Sequence, residues 1–161
     1  MRILIILHLF CPEFSGGTER VALNLARMAQ RAGHYVHVLS CAVNADATRG
    51  QPSTALHGAL ATVHEGVPVT LLPRSALPAD ADFSFDVASG LVDPLAAWMR
   101  RERFDIAHVL HTMRMGTAVL AAQRCELPYL LTLTDFFLAC GRTNLVDLDN
   151  KPCESPEAGR R

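Results

Sequence analysis

Four stretches of this chain carry groups that could do chemistry, and each follows an apolar run: 8–18, 40–44, 108–114 and 132–142. The first contains Gly16 and Gly17 just ahead of a helical pattern, with Glu19 in its first turn. Adjacent glycines leave backbone amides open to close approach, and a helix dipole favours an anion at that point, so the pair suits a phosphate-like group. It equally suits a tight turn that needs positive φ. His108 and His111 flank the end of a strand-like run. Three apart on a strand they point to opposite faces and form no ready metal pair. Each also fits the role of a hydrogen-bonded structural histidine. Asp135 ends the next run, directly after Thr132 and Thr134. An acid at a strand's carboxyl end suits binding or acid/base work, and it equally suits capping a turn.

The elements that must position these groups are legible as an α/β rhythm. Residues 3–7, ILIIL, form a continuous apolar run, as a strand buried on both faces of a parallel sheet does. Thr18 is expected to cap a helix that Gly33 stops, with Val21, Leu25, Met28, Ala29 and Ala32 on its inner face. YVHVLS (35–40) follows as a second strand, completing a βαβ unit. Residues 44–59 read as a surface loop, and 61–73 as two strands turning at Glu65-Gly66. A helix is expected over 85–103 with Val87, Leu91, Leu95, Trp98 and Met99 inward and Pro94 kinking or splitting it. Then come a strand at 105–111, a helix at 116–124, a strand at 129–135 and a loop-like tail. The alternation predicts a Rossmann-like, doubly wound parallel sheet, in which ligands bind beyond the carboxyl ends of the strands.

Composition narrows the function. The 161 residues suit one domain, with 50% hydrophobic and 19% charged residues and a net charge of -1. That charge gives no electrostatic case for nucleic acid. A dinucleotide site is excluded by the absence of GxGxxG and by Ser40-Cys41 standing where a ribose-binding acid is needed. The amino-terminal apolar run is too short for a signal peptide and no segment reaches a membrane span, so the chain reads as cytoplasmic. Trp98 with Arg100, Arg101 and Arg103 reads as a solvated helix end or as a peripheral membrane patch. Five cysteines at wide spacings, with no CxxC pair, read as free thiols.

Three ordered motifs carry a resemblance. FSGGTERVALNLARMAQRAGHYVHVLS (14–40), FDIAHVLHTM (104–113) and PYLLTLTDFFLACGRTNLVDLDNKPCESP (128–156) resemble the N-terminal domain of family-4 retaining glycosyltransferases of the GT-B fold. Gly16 and Gly17 match the family's glycine pair in the interdomain cleft, beside donor diphosphate and acceptor. His108 and His111 match histidines that follow its D-x-x-H-x-H-H strand, Leu110 standing where another is usual. Asp135 matches the acid of a frequent His-Asp pair, and Thr134 stands in place of that histidine.

The resemblance implies the acceptor-side half of a nucleotide-sugar glycosyltransferase of hexosyl type. Asp135 and His111 are its expected catalytic residues, and Gly16, Gly17, Glu19, His108, Thr134 and Arg142 its expected substrate-binding ones. It implies no metal or other cofactor. The donor is a nucleotide sugar and the acceptor a glycan or a lipid-linked molecule, in bacterial polysaccharide or glycolipid synthesis, with contact at the inner face of the membrane left open. A C-terminal domain holding the nucleotide is implied and absent from these 161 residues, the tail reading as a break near the interdomain linker. The alternatives are a stand-alone sugar- or anion-binding module without turnover, or another GT-B-like enzyme such as an epimerase, which would need acids placed differently.

Overall fold

The computed structural model describes residues 1–42, 51–56, 58–79, 86–140, 144–146 and 150–152. A seven-stranded sheet is built from β1 (Arg2–Ile6), β2 (Tyr35–Ala42), β3 (Gln51–Pro52), β4 (Leu60–His64), β5 (Val67–Pro73), β6 (Ile106–Val109) and β7 (Tyr129–Leu131). Among the described residues three α-helices connect them: α1 (Gly17–Arg31), α2 (Ser89–Arg101) and α3 (Gly116–Arg124). The spatial order is β3-β4-β5-β2-β1-β6-β7. The five strands from β5 to β7 run parallel, while β4 and β3 add antiparallel at one edge. The sheet is therefore mixed: Rossmann-like at its centre, with a hairpin appended. That hairpin turns at Glu65 (φ 48°) and Gly66 (φ 82°), the paired positive values a two-residue turn requires.

The central strand explains its own composition. Leu4 and Ile6 of β1 pack on the side of α2 and α3 with Leu39, Leu95, Trp98 and Ala121. Ile5 and Leu7 pack on the side of α1 with Ala22, Ala26, Val36 and Val38. Both faces are covered, so no polar alternation is tolerated.

Three sequence expectations about the helices require correction. α1 begins at Gly17 with Gly16 at its N-cap, so Thr18 lies inside the first turn. Its buried face is Glu19, Ala22 and Ala26, whereas Val21 and Met28 are 45% and 64% exposed. Ala22 and Ala26 pack fully into the cluster with Ile5, Val36 and Val38, while the bulkier Val21 and Met28 face out. α2 starts at Ser89 and runs unbroken through Pro94, with Val92, Leu95, Ala96, Trp98 and Met99 buried. Trp98, 2% exposed, is a core residue and no membrane anchor. Gly33 does stop α1, at φ 82°.

The amino edge of the sheet is tied by its own polar groups. Arg2 donates through Nε to the Glu102 carbonyl at 2.6 Å, pairs with the Glu102 carboxylate at 3.3 Å and lies 3.9 Å from the centre of the Tyr35 ring. Its amide donates to Asp105 at 2.7 Å. A cavity of about 180 Å³ at this edge is lined by Met99, Phe104, Leu127 and Pro128.

His37 on β2 is a half-buried polar side chain packed against the core. It shares hydrogen bonds with the Thr70 hydroxyl (2.9 Å) and the Tyr35 hydroxyl (3.2 Å), and its ring meets Trp98 and Phe104 edge-on. Burial, and then the nearby Arg2 charge, push its pKa down from 6.5 to about 4. Between these values the unfolded chain takes up a proton that the folded chain refuses, so stability rises with pH across that window. The melting temperature is expected to fall as pH drops from 6.5 towards 4, and His37→Gln to flatten that part of the curve. Equal slopes for the two proteins in thermal melts would show that other groups control it.

At the far edge β7 pairs on one side only among the described residues. Tyr129, Leu130 and Leu131 are 41%, 53% and 39% exposed, and Leu133 beyond them 62%. An open edge with apolar side chains is a surface for pairing or packing with further polypeptide.

Candidate active site

Strand order dictates where a ligand crevice must open. From β1 the chain crosses by α1 to β2 on one side, while β6 lies on the other side of β1, so the order reverses between β1 and β6. Ligands of open α/β sheets bind outside the carboxyl ends of strands at such a reversal. The residues leaving those ends are His8 after β1 and His111 after β6, and their ring centres lie 4.1 Å apart.

Asp135 joins them from the β7 side. β7 ends at Leu131, four residues before Asp135, because the backbone ladder stops once the Thr132 amide reaches the Val109 carbonyl. Asp135 thus lies in the turn that follows the strand. One carboxylate oxygen accepts from the Phe137 amide at 2.9 Å, and the other bonds His111 Nε2 at 2.7 Å. The Met113 amide donates to His111 Nδ1 at 3.1 Å. Nδ1 is therefore the acceptor, so Nε2 carries the hydrogen donated to Asp135. His111 is buried, with both ring nitrogens engaged, whereas the Asp135 side chain is 34% exposed. Burial pushes the Asp135 pKa up, but the hydrogen bonds from the Phe137 amide and His111, with the imidazoles of His111 and His8 close by, together hold it below the usual range. At neutral pH it is a carboxylate. It opens into a depression lined also by Thr112, Thr132, Leu131 and Leu138.

The other expected site residues divide. His108 bonds the Thr132 hydroxyl at 2.8 Å, and burial lowers its pKa. The Thr134 hydroxyl donates to the Leu110 carbonyl at 3.0 Å. With the His111 bond, these give three cross-links, all between residues 24 apart, that fasten the ends of β6 and β7 together. Gly16 has ordinary extended backbone, φ -75° and ψ -166°, and neither glycine of the pair has positive φ. The tight-turn explanation is therefore excluded. A Cβ on Gly16 would lie 2.7 Å from a Glu19 carboxylate oxygen, whereas one on Gly17 would meet nothing within 4 Å. Glu19 is buried, its other oxygen 3.9 Å from His8 Nε2. Arg142, and Cys153 with the rest of the late motif, lie outside the described residues. No disulfide joins Cys11, Cys41, Cys125 or Cys140 to another of the described residues. No group of three or more His, Cys, Asp or Glu suited to a metal ion occurs among the described residues.

His8 is the residue that sequence reasoning passed over. It is the first polar side chain after ILIIL, at the carboxyl end of the central strand, so the fold rule that selected Asp135 applies to it as well.

Fold and site together define a Rossmann-like α/β domain with an acid–imidazole cluster at its topological switch point. Residues 16–156 match the model of the glycosyl transferase 4-like domain, and the chain belongs to that family. Among solved structures, MurG of Acinetobacter baumannii is similar at 15% identity and a TM-score of 0.46, over 96% of this chain and 43% of that one. The chain thus spans less than half of the MurG chain's length. No curated protein matches the sequence. No helix among the described residues is long and apolar enough to cross a membrane.

Proposed function

We propose that the chain is the N-terminal, acceptor-side half of a two-domain GT-B glycosyltransferase. The complete enzyme moves a hexosyl group from a nucleotide sugar to a glycan or lipid-linked acceptor, with the anomeric configuration retained. The observation that carries this reading is Asp135: an ionised, part-exposed carboxylate fixed by His111 and the Phe137 amide at the carboxyl edge of the sheet. Membership of a glycosyltransferase family supplies the class of chemistry.

In retaining transfer the sugar gains positive charge as the bond to the departing diphosphate breaks, and negative charge accumulates on that diphosphate. Catalysis consists mainly of positioning and of fixed charges facing these two centres. Asp135 has the sign to face the sugar. The free amides at Gly16, Gly17 and Thr18, with the dipole of α1, have the sign to face the diphosphate. His111 serves by holding Asp135. The nucleotide itself is held by a C-terminal domain that continues the polypeptide, a reading supported by the exposed apolar residues along β7.

Two experiments test this. The full-length enzyme, given a panel of UDP-, GDP- and dTDP-sugars, is expected to transfer one class with retention, read from the anomeric proton of the product. Inversion, or no transfer from any of them with a range of glycan and lipid acceptors, would contradict the proposal. The 161-residue chain alone is expected to transfer nothing and to bind these donors with Kd weaker than about 100 μM, or 5.5 kcal/mol. Calorimetry giving a Kd at or below about 1 μM, roughly 8 kcal/mol, would show a complete donor site in this half.

A further inference from the structure

Two more ionisable side chains belong to the cluster at the switch point. Glu19 lies in the first turn of α1 and is 4% exposed. An acid in that turn interacts favourably with the helix dipole while remaining in water, so its burial is no requirement of the helix. Removing a carboxylate from water costs several kcal/mol unless a partner compensates. The group facing it is His8, whose Nε2 lies 3.9 Å from Glu19 Oε1, too long for a hydrogen bond but close enough for attraction once the imidazole carries a proton. The bare α-carbon of Gly16 leaves the space that the second Glu19 oxygen occupies.

His8 in turn packs its ring on His111, at 4.1 Å between centres and an interplanar angle of 43°. The two hydrogen bonds of His111 fix its ring within its own plane. They do little against tilting out of that plane, which contact with a ring face resists. Phe137 gives one such contact at 5.3 Å and His8 the closer one.

We infer that Glu19 and His8 are positioning residues for Asp135: Glu19 holds the His8 ring against His111, and His111 holds the carboxylate in the orientation it presents to substrate. The inference rests on the proposed role of Asp135. It joins the end of β1, the start of α1, the end of β6 and the segment after β7 into one device. The start of the helix that faces the departing diphosphate is thereby linked mechanically to the acid that faces the sugar.

The test is a mutant cycle in the full-length enzyme. Glu19→Gln keeps the shape and removes the charge, and His8→Gln keeps a polar side chain and removes the ring. Each is expected to lower kcat at least fivefold while donor and acceptor KM stay within twofold. In an Asp135→Asn background the same substitutions are expected to change kcat less than twofold, because residues acting through one group are non-additive. Unchanged kcat, or the same fivefold loss in both backgrounds, overturns the inference. Circular dichroism accompanies each variant. If His8→Gln does not fold, Glu19→Gln decides alone, and failure of both to fold shows a purely structural pair and overturns it. If Asp135→Asn itself keeps normal kcat, both the site reading and this inference fall. If only the Glu19 and His8 variants are silent, the site reading stands.

Discussion

Asp135→Asn is expected to lower kcat of the full-length enzyme about a hundredfold, near 2.7 kcal/mol of transition-state stabilisation, with donor and acceptor KM changed much less. The substitution is nearly isosteric, so shape is kept while two things are lost. One is the negative charge, which matters most when positive charge develops on the sugar and little in the bound ground state. That difference is what separates kcat from KM. The other is an acceptor: the carboxylate bonds His111 with one oxygen and the Phe137 amide with the other, and an amide has a single oxygen for both. This second loss costs stability, on the order of 1 kcal/mol, or a melting shift of a few degrees in a domain of this size. Kinetics and melts on one preparation therefore separate the roles. Normal kcat with a lowered melting temperature would mean that Asp135 only caps its turn.

How far the site was legible follows from what each residue's signal depends on. Strand-end positions follow from hydrophobic runs, so Asp135, His108 and His111 were reachable from spacing and the carboxyl-edge rule. The constant separation of 24 that pairs them with the β7 segment is a matter of register, and register is set by the sheet. The rhythm of strands and helices was likewise legible, because a strand covered on both faces leaves a continuous apolar run. Which face of α1 turns inward was legible only in part: Leu25 and Ala29 of the expected stripe do pack on the core, but Val21 and Met28 face out and Ala22 and Ala26 are buried in their place. Packing against the sheet decides which of these residues are buried, and that is a tertiary property. The same rotation brings Glu19 inside, 3.9 Å from His8. The length of β7 was overestimated because Leu133 and Thr134 continue the alternation after the ladder has ended.

Gly17→Val is expected to remove at least 99% of the activity of the full-length enzyme while leaving its melting temperature within a few degrees. Most glycines cannot be tested so cleanly, because replacing them strains the backbone or collides with the fold, and function is lost with structure. Gly17 is free of both problems. Its φ is not positive, it is solvent-exposed at the first position of α1, and a Cβ built on it meets nothing within 4 Å. The described residues therefore give no reason for glycine there. A ligand does: a branched side chain at the first helical residue would project beside the exposed amides and keep a diphosphate from approaching them. Gly17→Ala should lose less activity, in proportion to the smaller obstruction. Gly16→Ala is the internal contrast, because its Cβ would push against a Glu19 carboxylate oxygen at 2.7 Å. That variant is expected to lose a few degrees of melting temperature, about 1 kcal/mol, as the buried carboxylate is displaced. Turnover of Gly17→Val within a few-fold of wild type, on a sample whose circular dichroism is unchanged, would show that nothing approaches the helix there and would remove the diphosphate from this end of α1.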